Sequence, residues 1–239
     1  MLNTKKPKAL LSWSSGKDSA WALHVLRERG EVEVVGLVTT FNAAFDRVAM
    51  HGVRRELVEA QARLVGLPLW PVPLPWPCTN DEYEERMRAL IAQAVESKTT
   101  YFAFGDLFLE DIRSYRERQL VGTGIEPIFP IWTTPDDTAE LARRMIDHGL
   151  RATLTCVDPR KLSPEFVGRE FDHALLDELP PEVDRCGERG EFHTFCHAGP
   201  RSAERIAVKT GQSLERDGFW FADLLPADSA DDLNCETEA

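Results

Sequence analysis

The chain has 239 residues, of which 43% are hydrophobic and 28% charged, and its formal net charge is −12. That length suits one large domain, or a domain with a smaller appendage, and the composition is that of a globular protein with enough apolar residues for a packed core. So acidic a chain is repelled by bulk nucleic-acid backbone; no apolar run is long enough for a membrane span, no secretory leader is expected, and five cysteines without a CxxC pair read as free thiols of a reducing cytosol.

Residues 8–14 read as a buried strand, and the apolar spacing after it predicts a helix from Lys17 to Arg29 that Gly30 stops. Residues 32–40 are β-branched and continuous, as in a buried parallel strand. A helix over 53–65 follows, then a short proline-containing strand at 69–74. Residues 80–97 form an amphipathic helix capped by Thr79 or Asn80. Residues 101–104 make another buried strand that ends in Gly105-Asp106, and a helix begins near Glu110. Beyond 126 the pattern predicts a strand at 126–132, a helix at 136–148, a strand at 150–157 and helical structure over 164–178. The segment 185–200 is rich in turn residues, 204–210 and 218–223 are a closing pair of strands, and the acidic tail from Pro226 is expected to be disordered.

Strands alternating with helices predict an α/β fold, a parallel sheet with helices on both faces. Ligands of such sheets bind at the carboxyl ends of the strands. The 14–19 turn, the 39–52 loop and the 105–118 segment all fall at such ends and are expected to share one crevice.

The stretch Ser14-Ser15-Gly16-Lys17-Asp18-Ser19 joins a strand to a helix through small residues. Unpaired N–H groups and the helix dipole make such a junction an anion site; good helix-start chemistry alone would explain the same residues. It is not a Walker A loop, because Leu11 stands where that pattern needs glycine and Asp18 where it needs Ser or Thr. The dinucleotide fingerprint GxGxxG is also absent.

The turn resembles the pyrophosphate-binding PP-loop, SGGxDS, of enzymes that cleave ATP to AMP and pyrophosphate. Ser14, Gly16, Asp18 and Ser19 match, and Ser15 replaces the usual first glycine. The stretches RVAMHGVR (47–54), FGDLFLEDIRSYRER (104–118) and GERGEFHTF (187–195) narrow the resemblance to the diphthine–ammonia ligase-like branch, in a bacterial-type form, over residues 8 to about 222. It implies a Rossmann-like, HUP-type nucleotide domain (1–126), a smaller α+β substrate domain (127–225) and a tail (226–239). It also implies a cytoplasmic enzyme that uses ATP and Mg²⁺ to adenylate a carboxylate, which ammonia converts to an amide. Loop amides and hydroxyls from Ser14 to Ser19 would hold the pyrophosphate, with Asp18 near Mg²⁺. Lys17 occupies a position the pattern leaves free and is expected to be solvated.

Around that loop, the backbone of Val38, Thr39 and Thr40 is expected at the adenine edge, with Met50 and His51 walling the base or ribose; for Met50 core packing is the competing reading. Gly105 and Asp106 would line the crevice. Arg113 and Arg116, one helical turn apart, would share a face and clamp phosphate or carboxylate; a solvated face with Glu110, Asp111 and Glu117 is the alternative, evenly balanced for Arg118. The late cluster Glu188, Glu191, His193 and Thr194 is assigned to catalysis: if residues 191–193 are extended, Glu191 and His193 share a face and could hold Mg²⁺ or deprotonate ammonium. Cys186, His193, Cys196 and His197 match no standard zinc spacing. The competing function is a nucleotide sensor without transfer chemistry. A tRNA-modifying enzyme of the same superfamily is a third reading, against which stands the lack of basic or cysteine-rich modules. The acceptor carboxylate is small or protein-borne, and homodimerisation stays open.

Overall fold

The fold is seen in a computed structural model that describes residues 5–227. The chain is α/β, with a mostly parallel sheet flanked by helices and a second, antiparallel sheet of four strands. The first sheet is built from β1 (Lys8–Ser12), β2 (Glu33–Asn42), β4 (Leu69–Leu74), β5 (Tyr101–Ala103) and β6 (Glu126–Ile128). β1 lies between β2 and β5, β4 pairs with the other side of β2, and β6 pairs with β5, all in parallel. A two-residue strand, β3 (Arg47–Val48), turns back antiparallel onto the end of β2.

Successive residues of a strand face opposite sides of the sheet, and the core divides accordingly. Leu11, Leu37, Phe41 and Ala103 pack with α1 (Lys17–Arg29) and α2 (Arg55–Val65). Leu10, Val38, Phe102 and Phe104 pack with α3 (Asn80–Glu96) and the end of α4 (Glu110–Leu120). α1 ends where Gly30 turns left-handed and its N–H donates to Leu26 O. α3 begins in a capping box of Thr79 and Glu82, which satisfies two otherwise unpaired N–H groups.

The second sheet runs in the order β8 (Phe192–Ala198), β7 (Arg151–Val157), β10 (Phe219–Pro226), β9 (Val208–Arg216). Helices α5 (Thr138–Asp147) and α6 (His173–Glu178) pack beside it. The larger core continues from Leu11 and Trp21 to Leu154 and Phe195.

Several expectations are corrected. The 39–52 loop contains β3, and the strand expected over 126–132 stops at Ile128. Residues 164–178 do not form one helix. Gly168 sits at φ 83° and Glu170 bridges Thr153, so only a short 3₁₀ turn and α6 remain. The turn-rich segment holds β8, and the strand placed at 204–210 is Val208–Arg216 instead. Pro226 belongs to β10, and the rest of the predicted tail lies outside the described residues. Among the described residues no helix is long and apolar enough to cross a membrane.

The 47–54 stretch is bolted to the second sheet by charge. Asp223 on β10 accepts hydrogen bonds from Arg54 Nε at 3.0 Å, Arg54 Nη2 at 2.7 Å and Arg47 Nη1 at 2.9 Å. The hydrogen bonds from Arg54, reinforced by Arg47, hold its carboxyl down at about 2. A carboxyl depressed in the fold stabilises it above its unfolded pKa, near 4, and the contribution is lost as pH falls through about 2. Asp223→Asn should therefore cost about 1–2 kcal/mol at neutral pH, read by urea denaturation. The difference from wild type should shrink below pH 4 and vanish near pH 2.

Candidate functional site

A cleft of about 600 Å³ opens at the carboxyl ends of β1, β2 and β5, and β8 closes it from the second sheet. Its walls include Ser14, Lys17, Asp18, Ser19, Val38, Met50, His51, Gly105, Asp106, Arg116, Glu188, His193 and Thr194. The structure thus brings together most of the residues singled out from sequence, from positions 14 to 194.

The 14–19 turn is fixed by main-chain contacts to β8. Cys196 N–H donates to Ser15 O at 2.9 Å, and Lys17 N–H donates to Thr194 Oγ1 at 3.1 Å. Gln61 Nε2 donates to both Ser15 O and Cys196 O, while Gln61 Oε1 accepts from the Trp13 indole N–H at 2.8 Å. Gly16 caps α1; a Cβ there would sit 3.1 Å from His51 Cε1 and 3.2 Å from Thr194 O, so turn and strand touch without room for a side chain. Ser14 Oγ accepts from Gly16 N, and Ser19 Oγ donates to Gly16 O. The N–H groups of Asp18 and Ser19 find no backbone partner among the described residues. They open the first turn of a thirteen-residue helix, where an anion is favoured.

Ser15 has φ 72°, a left-handed conformation that costs a side-chain-bearing residue about 1–2 kcal/mol. Its hydroxyl is buried and unpartnered, and it faces away from the cleft. The position is one that glycine would occupy without strain.

Lys17 departs from expectation most. It is 2% exposed, not solvated. Its Nζ donates to Asp18 Oδ2 at 2.8 Å and to the Cys186 carbonyl, and lies 5.5 and 5.4 Å from the ring centres of Phe171 and Phe192. Burial opposes its charge, but the Asp18 carboxylate and neighbouring groups outweigh burial and hold its pKa above the usual value. Burial pushes the Asp18 carboxyl up against the pull of Lys17.

Asp18, Asp106 and Glu188 share the cleft with this ammonium. Glu188 Oε1 accepts from Leu107 N–H at 2.8 Å; burial, then the Asp18 charge, raises its carboxyl to about 8. Asp106 is likewise raised by burial, with Arg116 Nε 3.5 Å from its Oδ2. Asp184, missed in the sequence, accepts from Cys186 N–H at 3.2 Å and shapes the loop that carries Glu188. Asp18 Oδ1 and Asp106 Oδ2 are buried without hydrogen-bond partners. Among the described residues no three His, Cys, Asp or Glu side chains are grouped as a metal cage. The orphaned Asp18 oxygen nonetheless fits Mg²⁺, which takes one or two protein carboxylates and completes its shell with water and phosphate, while the Asp106 oxygen is already paired with Arg116.

His51 and His193 stack, their ring centres 4.6 Å apart. Burial lowers His51 to about 4 and, with His51 beside it, drives His193 well below its ordinary value. Both are neutral near pH 7. His51 Nδ1 lies 3.2 Å from Thr194 O, so that nitrogen carries the proton. Met50 is 62% exposed, which excludes core packing.

Other residues are not brought in. Arg113 stacks on Phe129 and Trp132 and pairs with Glu117 at 2.9 Å, away from the cleft; it does not share the face of Arg116. Glu191 is buried behind the strand, accepting from Asp184 N–H, and does not pair with His193. Thr39 donates its hydroxyl to Trp13 O. Gln61 also escaped the sequence reading, although a glutamine among Leu57, Val58 and Ala62 on the buried face of α2 was a visible signal.

The family described as Diphthamide synthase N-terminal domain matches residues 7–126, and that described as Diphthamide synthase C-terminal domain matches residues 137–225. No curated protein matches the chain. A solved structure, the U34-tRNA thiolase NcsA from Methanococcus maripaludis with its 4Fe-4S cluster, superposes with a TM-score of 0.36 at 18% identity. The match covers 56% of this chain and 55% of the thiolase, so the chain spans about half the length of that protein.

Ser15→Gly should raise stability by about 1 kcal/mol in chemical denaturation, because relief of left-handed strain and of an unpaired hydroxyl exceeds the added chain entropy. Lys17→Met should destabilise by about 3–5 kcal/mol, since it leaves Asp18 buried without its counter-charge. Adding Asp18→Asn to Lys17→Met should recover part of that loss.

Proposed function

The chain belongs to the diphthamide synthase family, and on that premise we propose that it cleaves ATP to AMP and pyrophosphate to activate a carboxylate, which ammonia converts to an amide. The family is one of ATP-dependent ligases. The observation that carries the reading is the cleft itself: the free first-turn amides of α1 lie beside a carboxylate with an orphaned oxygen and a glutamate raised to about 8.

The amides of Asp18 and Ser19 and the hydroxyls of Ser14 and Ser19 would hold the β,γ end of the triphosphate. The resemblance of the turn to a PP-loop supports that assignment. Asp18 would hold Mg²⁺, which when bound supplies charge neutralisation at the phosphates. Arg116, rather than Arg113, is the guanidinium that faces the cleft and would stabilise charge at the α-phosphate. Val38 and the exposed Met50 would wall the base, with the neutral His51–His193 pair alongside.

The acceptor carboxylate oxygen attacks the α-phosphorus, the bond to the bridging oxygen breaks, and pyrophosphate leaves. Ammonia then attacks the acyl carbon, AMP departs, and one proton is released. An ammonium ion must first surrender a further proton, because only ammonia carries the lone pair that attacks. Glu188, at about 8, matches the task better than His193, whose lowered pKa makes it a weak base. His193 and Thr194 then act by position: Thr194 holds the Lys17 amide, and His193 backs His51. The acceptor is left open between diphthine and another carboxylate; a bacterial-type sequence speaks against diphthine.

Incubation with Mg-ATP, ammonium and a panel of carboxylates should yield AMP and pyrophosphate in equal amounts. ADP and phosphate would refute the reading, and ATP binding without turnover under every condition would favour a sensor. Turnover plotted against free ammonia should rise through an inflection set by Glu188, which must be ionised to accept the proton: about 8 in the metal-free protein and lower with Mg²⁺ on Asp18. Glu188→Gln should remove that inflection and slow amide formation by about 10² or more. Hydroxylamine, already unprotonated at neutral pH, should narrow the deficit.

A further inference from the structure

Three exposed apolar side chains, Phe45 at 47%, Met50 at 62% and Trp76 at 55%, line one pocket of about 220 Å³ beside the cleft. Phe219 and Phe221 of β10 supply its opposite wall. Val48, Ala49, Met50 and Leu74 line both spaces, so pocket and cleft adjoin along one wall, at which Met50 is the exposed residue. We infer that this pocket seats the aromatic body of the acceptor, a small aryl carboxylic acid whose carboxylate passes Met50 into the cleft. The inference rests on the acyl-activating reading above and names its substrate class.

Shape supports a ring. Phe45 and Trp76 meet edge to face with centres 6.0 Å apart, and each is about half exposed, so ring surface is available to a ligand. A cavity of about 150 Å³ admits one benzene ring, so this pocket suits a single ring and its short arm.

Charge decides which ring-bearing ligand. An aromatic cage alone would suit a ligand cation, but here the cation position is taken. The Arg216 guanidinium stands over Phe45 at 5.5 Å and over Phe221 at 5.0 Å. Among the described residues Arg216 forms no ion pair, whereas Arg47, on the same wall, is bound to Asp223. Arg216 lines the pocket and not the cleft, so its charge draws an acid toward the pocket without holding the carboxylate that passes Met50. Asp217 also lines the pocket, but the charge that stands over the rings is that of Arg216, which repels a quaternary ammonium there and draws in an acid.

Calorimetric titration of the full-length protein with phenylacetate, 3-phenylpropionate, hexanoate and phenyltrimethylammonium tests this directly. The aryl acids should bind at least tenfold more tightly than hexanoate, and phenyltrimethylammonium more weakly than either. Trp76→Ala and Phe45→Ala should each weaken aryl-acid binding about tenfold, and Trp76→Phe should restore most of it. Arg216→Gln should weaken phenylacetate binding and narrow its preference over phenylacetamide, most at low salt. ATP affinity should not change in these variants. No measurable binding of either aryl acid, binding indifferent to Trp76 and Phe45, or tighter binding of phenyltrimethylammonium would overturn the assignment. Pocket-dependent binding of an aryl acid that never releases AMP upholds the pocket and defeats the ligase reading; AMP release indifferent to the pocket does the reverse.

Discussion

The main chain of the 14–17 turn is hydrogen-bonded to strand β8, and the position of every group in the cleft follows from that contact. Ser15 O accepts from Cys196 N–H, and Thr194 Oγ1 accepts from Lys17 N–H. Gln61 ties the two carbonyls together from behind. An edge strand presents unpaired N–H and C=O groups; here a loop from the other sheet satisfies them. Because the turn is held by its main chain, small residues suffice and must be used, as the close approach to Gly16 shows. The left-handed Ser15 is a local cost of bringing its carbonyl to face Cys196.

The same contact drives Lys17 inward. Once its amide is fixed to Thr194, its side chain runs between Phe171 and Phe192 to the Cys186 carbonyl. A buried ammonium is tolerated because Asp18 pairs with it. The pair then sets the electrostatics around it: the Asp18 charge helps raise Glu188, and Lys17 helps keep His51 neutral. On the proposed reading, a chain of net charge −12 would meet a polyanion in the cleft with backbone amides, a paired lysine and Arg116 instead of a broad basic surface. This is why a divalent cation would be needed beside Asp18.

Local chemistry was legible in the sequence where it is set locally. The helix Lys17–Arg29, stopped by Gly30, and the strand Leu69–Leu74 stand at the expected residues. The convergence of the 14–19, 39–52 and 105–118 segments followed from the parallel sheet and is seen in the cleft. What failed depended on distant partners. Strand β8 is only conditional in the sequence, because Thr194 and His197 are polar and sit in a turn-rich segment, yet the Lys17 amide and Glu170 satisfy them. The polar, largely exposed β9 carries no alternation to read. Residues one turn apart differ by about 60° around a helix, enough to send Arg116 to the cleft and Arg113 to Phe129 and Trp132. Nothing near Lys17 announces its burial, since its cage comes from residues 171, 186 and 192.

The central claim is that the turn beyond β1 grips the β,γ end of a triphosphate and leaves the α-phosphorus open toward Glu188 and Arg116. A crystal structure with Mg²⁺ and α,β-methylene ATP tests it most directly. The account predicts terminal phosphate oxygens within hydrogen-bonding distance of the Asp18 and Ser19 amides, with Mg²⁺ on Asp18 Oδ1. A nucleotide bound with its terminal phosphates away from these amides, or with its α-phosphate turned from the cleft, would contradict it.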